Sequence, residues 1–143
     1  MPVYFHAEET NFELKDQKTY GNWIKKIVGD QQKTIQTINI IFTSNDLLLK
    51  INREYLKHNY FTDVITFNYN DEETIAGDIF VSVDQVKING EENNVTFYNE
   101  LCRVMIHGVL HLLGFNDETK SEAEEIRKME NMAIEVLEEM KDG

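Results

Sequence analysis

This sequence is poor in cysteine, proline and basic charge, and each shortage excludes a class of protein. One cysteine, Cys102, stands in 143 residues, so no intramolecular disulfide staples the chain. Its apolar surroundings make a small buried thiol the expected role, and a fold without disulfides suits a reducing compartment. The one proline is Pro2, so no proline interrupts the pattern that follows. There is no repeat, low-complexity tract or linker. No apolar run approaches the roughly 20 residues that span a bilayer, so no membrane partner is expected. Met1 to Thr10 holds no Lys or Arg and already carries Glu8 and Glu9, unlike a secretory leader. The expected location is cytoplasmic.

Basic residues are outnumbered: 14 Lys and Arg stand against 26 Asp and Glu, a formal net charge of −12. Phosphate binding relies on Lys and Arg, so a chain this acidic does not hold nucleic acid through its overall charge. DNA is not an expected partner. An RNA role needs a local basic patch, a metal ion or a partner that supplies affinity.

What is present is ordinary globular material, 41% hydrophobic and 28% charged. The length points to one domain across residues 1–143. Alternation and β-branched content predict strands at 3–5, 34–43, 64–69 and 75–83, with a hairpin turn at 70–74. Helical spacing predicts helices at 16–28 and after Ser44 as N-cap, a short one at 85–88 followed by a loop at 89–94, and a long one at 96–113. Thr119 to Glu122 is a capping-box pattern opening a last amphipathic helix. Ile126, Met129, Ala133, Val136, Leu137 and Met140 form its apolar stripe, and its many glutamates read as a solvated face.

The helix at 96–113 carries the chemistry. Apolar residues cover most of it, so it is expected to be buried on most sides. At about 100° per residue, Glu100, Arg103, His107 and His111 lie within roughly 80° of one another. A narrow polar stripe on a central helix faces solvent or a polar cleft, because buried polar groups need partners. His107 and His111 are one turn apart, a good separation for two ligands of one ion. Two histidines so spaced also occur on ordinary wet helix faces. Here Gly114 can end the helix in the left-handed conformation, and Asp117 follows three residues on as a third ligand. Two imidazoles and a carboxylate suit Zn2+, with Ni2+ or Co2+ able to occupy such a site. Three protein ligands leave a position open, as in catalytic zinc sites.

His107-Gly-Val-Leu-His111-Leu-Leu-Gly114-Phe-Asn-Asp117 resembles the H-G-x-L-H-L-x-G-[YF]-D-H signature of the YbeY family of endoribonucleases. The segment from Ile51-Asn52 through Tyr55-Leu56 to Thr62-Asp-Val64-Ile-Thr66-Phe67 resembles a second family motif, and Ala76-Gly77-Asp78-Ile79-Phe-Val-Ser82 a third. The resemblance implies an α+β, zincin-like fold: a small mixed four-stranded sheet packed by helices, with the His107–His111 helix central. It implies a metal-dependent, single-strand-specific endoribonuclease. The expected role is small-subunit ribosomal RNA maturation and ribosome quality control, with the ribosomal small subunit and its assembly proteins as partners. His107, His111 and Asp117 are the expected metal ligands, and Asn52 and Thr66 the expected substrate contacts. The family's third histidine is Asp117 here, which keeps a competent ligand. Its arginine after the tyrosine is Leu56, which removes a cation expected to face the cleft. Arg103, on the histidine stripe, is the candidate catalytic cation in its place.

Each of these residues also admits a plain structural role: Asn52 bracing a turn, Thr66 and Phe67 as strand residues, Asp78 anchoring a turn. His6 and His58 read as surface residues. Two other functions stay open at this point. The ligand spacing also resembles that of metzincin-type zinc peptidases, but those need a glutamate directly after the first histidine and this chain has Gly108. A non-enzymatic ribosome-assembly factor with a structural metal would account for Leu56.

Overall fold

A computed structural model of the chain describes residues 2–58 and 62–142. The elements run β1 (Val3–Ala7), α1 (Gln17–Asp30), β2 (Thr34–Thr43), α2 (Asn45–Tyr55), β3 (Val64–Asn68), β4 (Thr74–Ser82), α3 (Val83–Glu92), α4 (Phe97–Leu112) and α5 (Lys120–Asp142). This is the expected α+β architecture with a four-stranded mixed sheet, in the order β1-β2-β4-β3. β1 and β4 flank β2 in parallel, and β3 pairs antiparallel with β4 as the other arm of the hairpin.

Alternation decides which face of the sheet is buried. Ile38, Ile40 and Phe42 of β2 join Ile75, Ile79 and Val81 of β4 in the core. There they meet α4, whose Leu101, Met105, Ile106 and Val109 are all 0% exposed. Burying each such side chain stabilises the fold by about 1.5–3 kcal/mol. α1 packs on β1, β2, α4 and α5, and Trp23 donates its indole N–H to the Ala133 carbonyl at 2.7 Å.

Glycine lets α4 approach the sheet closely. A Cβ on Gly108 would lie 2.7 Å from Ile79 Cγ2, and one on Gly77 would lie 2.6 Å from both Leu112 Cδ2 and the Phe67 carbonyl oxygen. A backbone oxygen cannot swing aside as a side chain can. Gly77→Ala is therefore expected to cost about 1–3 kcal/mol in denaturant unfolding, the range for overpacking a filled core. A loss under about 0.5 kcal/mol would mean that helix and sheet part freely at this point.

Other parts of the sequence reading change. Asp78 anchors no turn: it sits within β4, where the Asn39 amide donates to it at 3.1 Å. His6 in turn meets Asn39 Oδ1 at 2.9 Å, so a polar row crosses β1, β2 and β4. The short helix expected at 85–88 runs on to Glu92, through the segment expected as a loop. Asn and Gly are weak helix formers, but tertiary contacts hold them here. Asn89 accepts from Gln85 Nε2 at 3.0 Å and donates to Asp63 at 3.1 Å, and Gly90 packs beneath Val95 and Glu100.

Cys102 is buried as expected, at 4% exposure. Burial pushes its thiol up to about 11, against smaller opposing effects of Lys141 and Tyr20. The reactive species is the thiolate. Native protein at pH 8 should thus leave iodoacetamide almost untouched, with one equivalent consumed after denaturation. Rapid alkylation of the native form would show that this corner of the core opens readily.

Candidate metal centre

α4 ends where Asp117 must turn back to reach the two histidines. Gly114 takes φ +101°, its N–H donates to the His111 carbonyl at 3.0 Å, and the Phe115 N–H donates to the Leu110 carbonyl at 3.0 Å. These two bonds form the Schellman arrangement that closes a helix and reverses the chain. Asn70 in the β3–β4 turn donates to the Leu112 carbonyl at 2.7 Å, pinning the same helix end. The reversal brings Asp117 back over α4. Its Oδ2 lies 3.4 Å from His107 Nε2 and 3.6 Å from His111 Nε2, and the two Nε2 atoms are 2.9 Å apart.

These distances fit a metal ion. Zinc bonds of about 2.0–2.2 Å in tetrahedral geometry set neighbouring donors about 3.3 Å apart. Among the described residues, His107, His111 and Asp117 form the one group whose donor atoms converge in this way, all within 4.8 Å of one another. They lie at the side of an open cleft of about 470 Å³, whose other walls include Asn52, Leu56, His58, Asp63 and Thr66.

A second carboxylate stands behind the candidate ligands. Glu130 of α5, 4% exposed, meets His107 Nδ1 at 2.6 Å through Oε2 and Arg103 Nη1 at 3.1 Å through Oε1. It is the exception to the solvated glutamate face expected for the last helix. Its bond to Nδ1 leaves Nε2 of His107 available to face a metal ion, as in carboxylate–histidine–metal patterns. Burial alone would push the His107 imidazole down, yet the hydrogen bond and charge of Glu130, with Asp117 and Asp63, hold it above its usual range. Burial likewise opposes ionisation of Glu130, but His107, Arg103 and Arg127 hold its carboxyl below the usual range. His111 moves the other way: burial and the neighbouring His107 lower it.

The remaining sequence candidates fall around this centre. Asn52 is 1% exposed in the wall of the cleft, and its carbonyl accepts from the Leu56 and His58 N–H groups. Thr66 lines the same cleft from β3. Arg103 is on the other side of His107 from Leu56, in an adjoining cleft that Glu100, Arg127 and Glu130 share. Gly108 faces Ile79 and the sheet rather than the cleft.

Sequence reasoning missed three residues here. Glu130 lies four residues after Ile126 and three before Ala133, on the buried side of α5, and that spacing was the available signal. Asp63, inside the quoted second motif, lines both clefts; burial raises its carboxyl above the usual range, against His107 and Asn89. His58 is exposed but lines the metal cleft, which its sequence neighbourhood does not signal.

Comparison with known proteins agrees with this geometry. The model of a family described as endoribonuclease YbeY matches residues 4–140. A relative named endoribonuclease YbeY from Azobacteroides pseudotrichonymphae is 42% identical over 137 residues, covering 96% of this chain and 99% of its own. One of the same name from Parabacteroides distasonis is 38% identical over 139 residues, covering 97% and 98%. The solution structure of TM1509 from Thermotoga maritima superposes with a TM-score of 0.63 at 29% identity, over 92% of this chain and 88% of that one. With the family pattern matched along nearly its whole length, the chain belongs to the YbeY family.

Proposed function

We propose that this protein is a metal-dependent endoribonuclease that cleaves single-stranded RNA as one hydrolase domain spanning residues 1–143. Zinc is the proposed metal. Small-subunit ribosomal RNA maturation and ribosome quality control in the cytoplasm are the proposed role, with the small subunit and its assembly proteins as partners. One observation carries the activity. In a chain of this family, the donor atoms of His107, His111 and Asp117 converge within 4.8 Å beside an open cleft.

An ion held there supplies Lewis-acid polarisation of a phosphoryl oxygen and activation of water. The chain's own residues do the rest. His107 and His111 present Nε2, and Glu130 holds the proton on His107 Nδ1. Asn52 and Thr66 offer polar groups along the cleft for the RNA strand. Arg103, ion-paired to Glu130 at 3.1 Å, places a cation beside His107 for the phosphate. The acidic surface makes the ion and this local cation the attraction for RNA, in keeping with a partner that delivers the substrate.

The peptidase reading lacks its base. Position 108 carries no carboxylate and packs on Ile79, so even a glutamate there would meet the sheet. The assembly-factor reading has one observation in its favour: Leu56, 40% exposed, lines the cleft where the family carries arginine. One experiment separates the three. Metal-loaded protein and His111→Ala are each incubated with labelled single-stranded RNA and with casein. RNA cleavage lost in the variant is the expected result. Casein cleavage would make the protein a peptidase, and bound metal with neither activity would make it an assembly factor.

A further inference from the structure

Beside the metal cleft lies a second one of about 280 Å³, and the two share Asp63, Val64, His107 and Asp117 as a common wall. Val104 and Ile126 give it apolar sides, and Arg103 and Arg127 bring two guanidinium groups. Glu100 of α4 lines it as well. That residue is 6% exposed, and its carboxylate makes no hydrogen bond or ion pair among the described residues. Burial and the Asp63 charge raise its carboxyl above the usual range, the charges of Arg103 and Arg127 oppose them, and its oxygens stay open to the cleft, where a donor can reach them. Every other buried side chain with a carboxylate in this cleft is answered: Glu130 by His107 and Arg103.

The surroundings narrow what answers Glu100. A metal ion is disfavoured, because two arginines stand in the same cleft and the carboxylates here do not converge as the ligand group at His107 does. Neutral N–H donors face no such repulsion. A carboxylate has two acceptor oxygens, so it is best met by two adjacent donors. Among the nucleobases, guanine alone presents two on neighbouring atoms, N1–H and the N2 amino group. Its O6 and N7 acceptors lie on the next edge, the edge that arginine reads bidentately. Arg103 is committed to Glu130 at 3.1 Å, whereas Arg127 reaches the same carboxylate only at 3.8 Å and its side chain is 63% exposed. Arg127 is thus the guanidinium free to swing onto a ligand. The volume is below the about 300 Å³ at which pockets for drug-sized ligands begin, which suits one ring system. Unstacked bases of single-stranded RNA are recognised by this combination of edge hydrogen bonds and arginine planes.

We propose that this second cleft is a base-reading subsite for a guanine of single-stranded RNA, with Glu100 accepting from N1–H and N2–H2 and Arg127 donating to O6 and N7. The inference rests on the endoribonuclease reading and deepens it. Because His107 and Asp117 form the shared wall, a guanine seated here sets its own phosphodiester beside the metal ligands. Cleavage is then directed to linkages next to guanosine.

The test uses zinc-loaded full-length protein and short single-stranded RNAs carrying one guanosine in a uridine background, with inosine replacing it in a matched set. Inosine keeps N1–H, O6 and N7 but lacks the N2 amino group. Cleavage next to guanosine should exceed cleavage next to inosine by about tenfold to a hundredfold in kcat/KM, as for a hydrogen bond to a charged group. Glu100→Gln, of nearly the same shape, should abolish that ratio at unchanged zinc stoichiometry. Arg127→Ala, at an exposed position where folding is not at risk, should lower the preference for guanosine over uridine. Equal cleavage at guanosine and inosine by the wild type, or a ratio kept by Glu100→Gln, would overturn the subsite and leave the nuclease standing. Absence of cleavage of any RNA would overturn the endoribonuclease reading itself, and this subsite with it.

Discussion

Asp117→Ala is expected to strip the protein of most of its metal, while Asn116→Ala keeps it. Asp117 Oδ2 lies 3.4 and 3.6 Å from the two imidazole Nε2 atoms, and removing it leaves two ligands on one helix. Two neutral imidazoles without an anionic partner hold zinc weakly, and the loss should exceed the 10–100-fold typical of an outer-sphere partner. Asn116 faces elsewhere. It lines a separate cleft with Gln31, Leu113 and Glu125, and the reversal at Gly114 turns it away from the histidines. Asp117→His restores a third ligand and should retain the ion. Competition with a chromophoric chelator measures all three affinities. Metal kept by Asp117→Ala and lost by Asn116→Ala would mean that the chain reverses differently after Leu113.

Local signals made much of this site legible. Strand β2 has the bounds its alternation predicts, 34–43. Thr119 and Glu122 form the capping box, with reciprocal bonds of 3.0 and 3.1 Å. The metal trio was readable because helix, glycine turn and carboxylate are consecutive in the chain, so their geometry follows from backbone rules alone. What was not legible depends on packing between distant segments. Glu130 and His107 are 23 residues apart, and only the laying of α5 over α4 joins them. Asn89 helps hold α3 helical because Asp63, 26 residues away, takes its amide. Arg103 reads from periodicity as a cation of the histidine stripe, and it lies beside His107 in the second cleft. Which cleft it enters, and that a buried carboxylate already claims it, are tertiary facts.

Glu130 should therefore matter to the metal as well, although it touches none and its effect is smaller than a ligand's. Glu130→Ala removes the acceptor at His107 Nδ1 and the partner of Arg103 together. His107 can then rotate or adopt the tautomer that puts its proton on Nε2, and zinc affinity should fall by about 10–100-fold. Arg103, 20% exposed, loses its counter-charge, so stability should fall toward the about 3–5 kcal/mol typical of a broken buried pair, reduced by the solvent that reaches it. Glu130→Gln keeps an acceptor for Nδ1–H without the charge, so it should recover much of the zinc affinity and less of the stability. Chelated protein adds a pH signature. The raised His107 gives stability that is complete below its ordinary value of 6.5 and is lost as pH rises through the folded value. The lowered Glu130 gives stability present above its ordinary 4.5 and lost as pH falls through the folded value. Between those two values the chelated wild type should show its largest melting-temperature advantage over Glu130→Ala, and the advantage should shrink on either side. Imidazole nitrogen shifts of His107 would report the tautomer directly. Unchanged zinc affinity and an unchanged His107 tautomer in Glu130→Ala would show that the 2.6 Å contact orients nothing.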